Sequence, residues 1–199
     1  GVIAISAGAN HSLALKSDGT VLAWGAGWNG ECAVPLDLGP VKAIAAGNNY
    51  SLALQEDGAV RAWGANWNNQ CNIDGLTGVS AIFAGPEHSM ALLDDGTVVA
   101  FGNPADAPAW TPPEGLSDVV AISAGSYHSL ALKTDGTLVI WGYDFGYGES
   151  EVPEGMPAIS AISAGPFHNV VLLGSPAEQE DMTAPEIAGC AETHAVISP

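Results

Sequence analysis

Three histidines in this sequence are each followed directly by a serine and, seven residues later, by an aspartate. The three sets are His11-Ser12 with Asp18, His88-Ser89 with Asp95, and His128-Ser129 with Asp135. These are the residue types of a hydrolase triad, in which a base activates a hydroxyl nucleophile. A triad is a single asymmetric site, whereas these residues recur along the chain and each aspartate belongs to a turn signal. We therefore predict that the chain is not an enzyme, and that each His and Ser satisfies backbone groups.

Acidic turns and cysteines are the remaining candidates for a metal centre. Asp18, Asp57, Asp95 and Asp135 lie in separate Asp-Gly turns, and none has ligands at every second position as a calcium loop does. The 3 cysteines include no Cys-x-x-Cys pair, which argues against a zinc site and a disulfide framework. We expect neither a metal nor another cofactor.

The cysteines are also predicted to be unbridged. Cys32 and Cys71 occupy equivalent positions in adjacent copies of a repeat, and such positions usually lie farther apart than the ~7 Å that a disulfide spans. Two buried free thiols are expected. Cys190 is expected either to be unpaired or to pair with a residue outside this sequence.

The charge balance limits the class of partner. The chain has 22 acidic residues against 4 basic ones, which gives a formal net charge of -18. Nucleic-acid binding depends on Lys and Arg at the phosphates, so we expect no nucleic-acid partner. No run approaches the ~20 apolar residues of a membrane span, and no membrane insertion is expected. The acidic residues are spread along the chain, which favours a role in solubility.

A repeat of near-constant length must position all of these residues. Its anchor is an Ala-Gly pair, and the glycines are 39, 38, 40 and 40 residues apart: Gly8, Gly47, Gly85, Gly125 and Gly165. After each pair come two variable residues, a His-Ser-Leu-Ala-Leu type run, an Asp-Gly pair and an Ala-Trp-Gly type run. Four copies are complete, and the fifth ends without its Asp-Gly.

Each copy is predicted to form short strands joined by tight turns. The Asp-Gly pair predicts a hairpin with a type I′ turn, which needs positive φ at both central residues. Small residues alternate with Leu, which suits sheets packed closely on their neighbours. A period of this length with about four strands is typical of propeller blades. We predict an all-β fold, a β-propeller of about four to five four-stranded blades.

The repeat resembles that of the regulator-of-chromosome-condensation family, in the form found in bacterial members. The segment that follows Trp-Gly supports this, because Trp28-Asn29-Gly30-Glu31-Cys32 in one copy has a counterpart in Trp67-Asn68-Asn69-Gln70-Cys71. The resemblance covers residues 1–174 and implies a propeller that is commonly seven-bladed. Four and a half repeats leave a fragment, an open or partial ring, a smaller closed ring, or one partner of an assembly as alternatives. Open propeller edges would favour self-association.

Two segments depart from the repeat. The third inter-repeat segment, from Asn103 to Trp110, lacks the Trp-Asn and Cys pattern and is expected to be irregular. Residues 175–199 are predicted to be a linker followed by the possible start of an immunoglobulin-like module, which Ala184-Pro185-Glu186-Ile187 resembles. The alternative for the same region is a degenerate sixth repeat.

Aromatic and amide residues in the loops are the candidate recognition surface. Trp24, Trp63 and Trp141 belong to the repeated strand and are expected to pack between blades. The candidate binding residues follow that strand, where rigid aromatic side chains often make contacts. They are Trp28, Asn29, Trp67, Asn68, Tyr143, Phe145 and Tyr147. Packing between blades is the alternative role for them.

The sequence predicts a binding protein whose partner it does not identify. The expected function is a non-catalytic protein-interaction or architectural module of a bacterial secreted or surface protein, located outside the cell or at its surface. The alternative is a propeller-type protein inhibitor or specific binder of an enzyme. A guanine-nucleotide exchange role, which eukaryotic members of the family suggest, has no local motif here.

Overall fold

The computed structural model describes residues 1–102, 110–143, 145–146, 148, 150–153 and 155–174, together with the backbone of residues 195–197. Helix is almost absent from these residues, and the structure is built from short strands. The strands are β1 (Val2–Ala7), β2 (His11–Lys16), β3 (Val21–Gly25), β4 (Val41–Ala46), β5 (Tyr50–Gln55), β6 (Val60–Gly64), β7 (Val79–Ala84), β8 (Ser89–Leu93), β9 (Val98–Phe101), β10 (Val119–Ala124), β11 (His128–Lys133), β12 (Leu138–Gly142), β13 (Ile159–Ala164), β14 (Asn169–Leu173) and β15 (Ala195–Ile197).

Consecutive strands form five separate antiparallel sheets of three strands each, with the strands in sequence order. We call the sheets blades 1 to 5, from β1-β2-β3 to β13-β14-β15. Each of the five repeats therefore forms its own small sheet, and the all-β prediction is confirmed. In the first sheet the register pairs Ile5 with Ala14 and Ala14 with Leu22, so these three side chains share one face.

The hairpin turns differ from the predicted type. Gly19 has a φ of 78°, but Asp18 is not among the described residues with positive φ, so the type I′ prediction was wrong. The Asp18 carboxylate instead accepts a hydrogen bond from the Thr20 amide at 3.0 Å. An aspartate that caps the turn in this way needs left-handed backbone only at the following glycine.

Each blade has three described strands where four were expected. After β3 the chain continues in turns, with the Gly30 amide bonded to the Gly27 carbonyl and the Ala33 amide to the Gly30 carbonyl. Because these amides bond locally and Pro35 has no amide proton, this segment offers few donors to a further ladder.

Two sequence predictions concern segments that the structure describes only in part or not at all. The irregular segment at 103–109 and residues 175–194 lie outside the described residues. Strand β15 pairs with β14 and takes the third-strand position of blade 5. The boundary after residue 174 stays a prediction.

The core is divided into layers between successive blades. We call the face of a blade that points to the preceding blade its leading face, and the opposite one its trailing face. Between blades 1 and 2, Leu13 and Leu15 of the trailing face pack with Ala53 and Trp63 of the next leading face. Alanine in the middle strand allows the two sheets to approach closely. Similar layers lie between the later blades.

Candidate protein-binding site

The Ala-Gly turns of all five blades meet at one end of the molecule. They surround a shallow depression of about 200 Å³. Because strands alternate in direction, the loop that follows the third strand of each blade emerges at this same end. We call it the turn end, and the six candidate binding residues that the structure describes belong to its loops.

The first repeated histidine and serine lie at the turn end, between blades. His11 Nε2 is 2.9 Å from Ser51 Oγ of blade 2, and the Ser51 hydroxyl donates to the Glu31 carbonyl at 2.9 Å. The serine has a single proton, so His11 Nε2 must be the donor in the first bond. Burial lowers the pKa of His11, which favours this neutral form. A catalytic base would have to accept the serine proton, and here the direction is the reverse.

Trp63 completes this network from the repeated Trp-Gly strand. Its indole Nε1 donates to the Glu31 carbonyl at 2.9 Å, so one carbonyl of blade 1 accepts from two side chains of blade 2. We call this arrangement the interblade network. It explains why serine and tryptophan recur together in the repeat.

In later blades the histidine and serine positions of the repeat hold other side chains or form other hydrogen bonds. Tyr50, which replaces histidine in blade 2, is fully buried and bonds to the Gly85 carbonyl at 3.0 Å. Burial raises its pKa well above the usual value, so it remains a neutral donor. His128 Nε2 bonds at 2.7 Å to Oδ1 of Asn169, the blade 5 residue at the serine position. The prediction that this position has a structural role therefore agrees with the geometry.

The aspartates of the supposed triads lie far from their histidines. His11 begins β2 and Asp18 follows its other end, and the Asp95 and Asp135 carboxylates likewise accept from the amides of Thr97 and Thr137. Hydrogen bonds to Thr20 lower the pKa of Asp18. No His, Ser and Asp of one blade can therefore meet as a triad.

The network between blades 3 and 4 is different. His88 stacks on Trp110 with ring centroids 4.0 Å apart. Both ring nitrogens of His88 and the hydroxyl of Ser129 are buried without a hydrogen-bond partner in the described structure. Burial, and then the charge of His128, lowers the pKa of His88 to about 3. Trp141 Nε1 still donates to a carbonyl of the preceding blade, that of Trp110, at 3.2 Å.

Aromatic residues cluster at the turn end of blades 4 and 5. The Tyr127 ring lies 5.2 Å from that of Phe145 and 6.3 Å from that of Phe167, and Tyr143 lies 6.1 Å from Phe145. We call these four residues the aromatic cluster. A cavity of about 450 Å³ lies beside it, lined in part by Glu87. Partly exposed aromatic rings around a cavity are a common feature of recognition sites.

Of the predicted binding residues, the structure brings together Tyr143 and Phe145. Trp28 and Trp67 are 83% and 71% exposed, and no described ring contact joins them to the aromatic cluster. The backbone amides of Asn29 and Asn68 bond within their own turns, to Glu31 and Gln70. Tyr147 lies outside the described residues. A binding role for all seven stays a prediction.

Sequence reasoning missed Tyr127 and Phe167. Both stand immediately before the repeated histidine, in the variable pair that blades 1 to 3 fill with Ala9-Asn10, Asn48-Asn49 and Pro86-Glu87. An aromatic residue at a position that is otherwise small, polar or proline was the available signal.

The two described cysteines are free thiols. Cys32 and Cys71 are free and half-buried, and their thiols donate to the carbonyls of Ala26 and Ala65. Burial raises the pKa of Cys71 to about 12, so its thiol is unreactive at neutral pH. Cys190 lies outside the described residues.

Within the described part of the chain, no three His, Cys, Asp or Glu side chains are grouped as metal ligands would be. Nor does that part contain a helix long and apolar enough to span a bilayer.

Comparison with known families identifies the repeat. A sequence profile of the regulator of chromosome condensation (RCC1) repeat matches residues 2–31, 41–71, 79–106 and 119–149. The chain belongs to the RCC1-repeat family. The four matches coincide with blades 1 to 4, so the predicted resemblance is confirmed. A shared fold does not fix a function, so the function of this chain has to be argued from its site.

Solved structures show the same fold. Human WBSCR16 is 18% identical with a TM-score of 0.75, and the match covers 87% of this chain and 60% of that protein. Prp20p from Saccharomyces cerevisiae, studied for its binding to Gsp1p and histones, is 23% identical with a TM-score of 0.70, over 86% and 56%. The ectodomain of the Arabidopsis thaliana receptor kinase ACR4 is 24% identical with a TM-score of 0.66, over 86% and 59%. Comparison with curated proteins gives no significant match. This chain spans less than two thirds of the length of each of these three solved structures.

Proposed function

We propose that this chain is a non-catalytic protein-interaction module of a bacterial secreted or surface protein, and that it binds its partner at the aromatic cluster. The observation that carries the proposal is the cavity of about 450 Å³ beside Tyr127, Tyr143 and Phe145. These aromatic residues are partly exposed, whereas the repeated Trp63 and Trp141 are buried between blades.

The position of the cluster supports a recognition role. Tyr127 and Phe167 stand at variable positions of the repeat, so the fold does not require them there. Rigid aromatic side chains provide a large contact area at low entropic cost, which is why they dominate binding hot spots. Glu87 adds an acidic group to the rim, in a chain with a net charge of -18. A partner with an apolar side chain surrounded by basic groups would fit this site.

The secreted or surface location rests on composition and resemblance. The chain has only 4 basic residues, and its repeat resembles that of bacterial members. A surface protein uses such a module to hold a partner or to connect other modules.

Affinity capture tests both parts of the proposal. The wild-type chain and the double variant Tyr127→Ser, Phe145→Ser would be immobilised and exposed to culture supernatant, cell-envelope and cytosolic fractions of the encoding bacterium. We expect the wild type to retain one protein in stoichiometric amount from the supernatant or envelope fraction, and the double variant to lose it. Leu36→Ser, a change at a fully exposed side chain away from the cluster, is the control and should retain it.

The other outcomes are informative. Capture that survives the double variant but is lost in Trp28→Ser, Trp67→Ser would place the site at the loop tryptophans and contradict the aromatic cluster. Specific capture from the cytosolic fraction alone would contradict the secreted or surface role.

A further inference from the structure

The cavity beside the aromatic cluster lies among the middle blades of the described chain. Its lining comes from blades 2, 3 and 4 and from the loops that follow blades 3 and 4. Each of these blades packs on a described blade at both of its faces, so the cavity is separate from the leading face of blade 1 and the trailing face of blade 5. Its volume of about 450 Å³ lies within the ~300–1,000 Å³ that is usual for ligand pockets.

Aromatic rings form the apolar wall of this cavity. The ring planes of Tyr127 and Phe145 meet at 73° with centroids 5.2 Å apart, and those of Tyr143 and Phe145 meet at 44° with centroids 6.1 Å apart. The three rings therefore do not form a parallel stack, and their faces are turned in different directions. Because the face of an aromatic ring carries partial negative charge, a cation is attracted to rings arranged in this way.

The polar groups of the cavity include several hydrogen-bond acceptors. Glu87 has its carboxylate oxygens, Asn48 an amide oxygen and Ser126 a hydroxyl oxygen. Glu87 is exposed, and none of the ion pairs among the described residues involves it. Its carboxylate is therefore available to a cationic donor supplied by a partner, and such charge-assisted hydrogen bonds are the strong ones.

The basic residues of the chain lie at the other end of the blades, where the Asp-Gly turns are. We call this the hairpin end. Strands β2 and β11 end there in a lysine, and β4 and β6 have a basic residue second from their start at the same end. The structure describes all four basic residues, which are Lys16, Lys42, Arg61 and Lys133. No lysine or arginine of the chain is thus at the turn end, and a cation that approaches the cavity meets no like charge from them.

We infer that the cavity binds an arginine side chain of the partner protein, an inference that rests on the proposed function of the aromatic cluster. The arginine is one of the basic groups that surround the partner's apolar side chain. Its guanidinium stacks on the rings of the cluster, and its N–H groups donate to the Glu87 carboxylate and the Asn48 amide oxygen. Arginine fits these groups better than lysine does, because the guanidinium is planar, has five N–H donors and is less strongly hydrated than an ammonium.

Titration with short peptides tests the inference at the cavity itself. Acetyl-Gly-Arg-Gly-amide would be added to the isotope-labelled chain and followed by NMR, beside the same peptide with citrulline, which has the shape of arginine without its charge. We expect shifts at the amides of Ser126 and Tyr127, and an affinity about tenfold higher for the arginine peptide. The lysine peptide should bind more weakly than the arginine peptide. Equal affinities for arginine and citrulline, for arginine and lysine, or no binding of the arginine peptide would overturn the inference.

Two variants of the cavity wall sharpen the titration. Glu87→Gln keeps the shape of the side chain but removes its charge, so it should weaken binding of the arginine peptide about fivefold and leave that of the citrulline peptide unchanged. Phe145→Leu keeps an apolar side chain but removes the ring, and should weaken the arginine peptide as well. Glu56→Gln, a matched change at an exposed glutamate of the hairpin end, should bind like the wild type. The amide spectrum of each variant verifies that it is folded. Unchanged affinity of Glu87→Gln for the arginine peptide would contradict the inference.

The protein captured by affinity separates this inference from the proposed function. It should bind Glu87→Gln about fivefold more weakly than the wild type, and Glu56→Gln equally well. A protein that is lost from Tyr127→Ser, Phe145→Ser but binds Glu87→Gln with unchanged affinity would overturn the arginine inference and leave the proposed function standing. A protein that the double variant retains would overturn the proposed function and, with it, the inference.

Discussion

The interface between blades 1 and 2 and the interface between blades 3 and 4 are built from the same repeat but differ in their hydrogen bonds. In the first, His11, Ser51 and Trp63 all take part in the interblade network. In the second, His88 stacks on Trp110 and does not reach Ser129. The segment that precedes Trp110 is the one that lacks the Trp-Asn and Cys pattern. The interface beside this altered loop thus lacks the hydrogen bond between the repeated histidine and serine.

The difference shows which part of the interface is invariant. The apolar layer and the tryptophan bond persist in both, since Trp63 and Trp141 are each 8% exposed and each donate to a carbonyl of the preceding blade. The histidine and serine bond is more easily replaced. Burial of apolar surface therefore holds the blades together, and the polar network sets their register.

The largest expected effect comes from removing a buried tryptophan. Trp63→Ala should lower the free energy of unfolding by about 3–5 kcal/mol, because it leaves a cavity between blades 1 and 2. Trp24→Ala at the equivalent exposed position should cost less than about 1 kcal/mol. Urea denaturation at low protein concentration compares the two. Equal losses of stability would contradict the description of Trp63 as buried between blades and of Trp24 as exposed.

The dependence of stability on pH tests the environment of His88, between blades 3 and 4. The pKa of His88 is about 3 in the folded chain against 6.5 for an ordinary histidine. Between these values the unfolded chain binds a proton that the folded chain does not, so stability should fall as pH decreases from 6.5 toward 3. The contribution is about 1.4 kcal/mol per pH unit.

The matched variant for the titration is His88→Tyr, which copies the residue that blade 2 has at this position. It should flatten the dependence of stability on pH between 6.5 and 5, where the unfolded chain binds a proton at this histidine and the folded chain does not. Parallel curves for His88→Tyr and the wild type would show that His88 does not titrate as the geometry requires.

Substitutions at the serine position should have smaller effects, which differ between the two interfaces. Ser51→Ala should cost about 1–3 kcal/mol, because it leaves His11 Nε2 buried without a partner. Ser129→Ala should change stability by no more than about 0.5 kcal/mol, since its hydroxyl has no partner to lose. Thermal or urea unfolding of the two variants measures this contrast. If both serines cost the same, the two interfaces are alike after all.

Much of the fold could be predicted from the sequence because the same local pattern recurs. The spacing of the glycines predicted the blades, and the repetition of His-Ser and Trp-Gly predicted a structural role, with which the interblade hydrogen bonds of His11 and Trp63 agree. The hairpin type was not predictable from Asp-Gly alone, since Asp18 caps the turn through its side chain. Nor could the contacts of Tyr127 be read from spacing, because Phe145 lies in a later loop of the same blade and Phe167 lies in the next blade. The stacking of Trp110 on His88 depends in the same way on contacts distant in sequence.

The account rests most directly on the claim that the repeated histidine and serine join neighbouring blades. A double-mutant cycle with His11→Phe and Ser51→Ala measures their coupling in the free energy of unfolding. The predicted result is a favourable coupling of about 1 kcal/mol for this pair, and none in the parallel cycle with His88→Phe and Ser129→Ala. Additive losses for His11 and Ser51 would contradict the account.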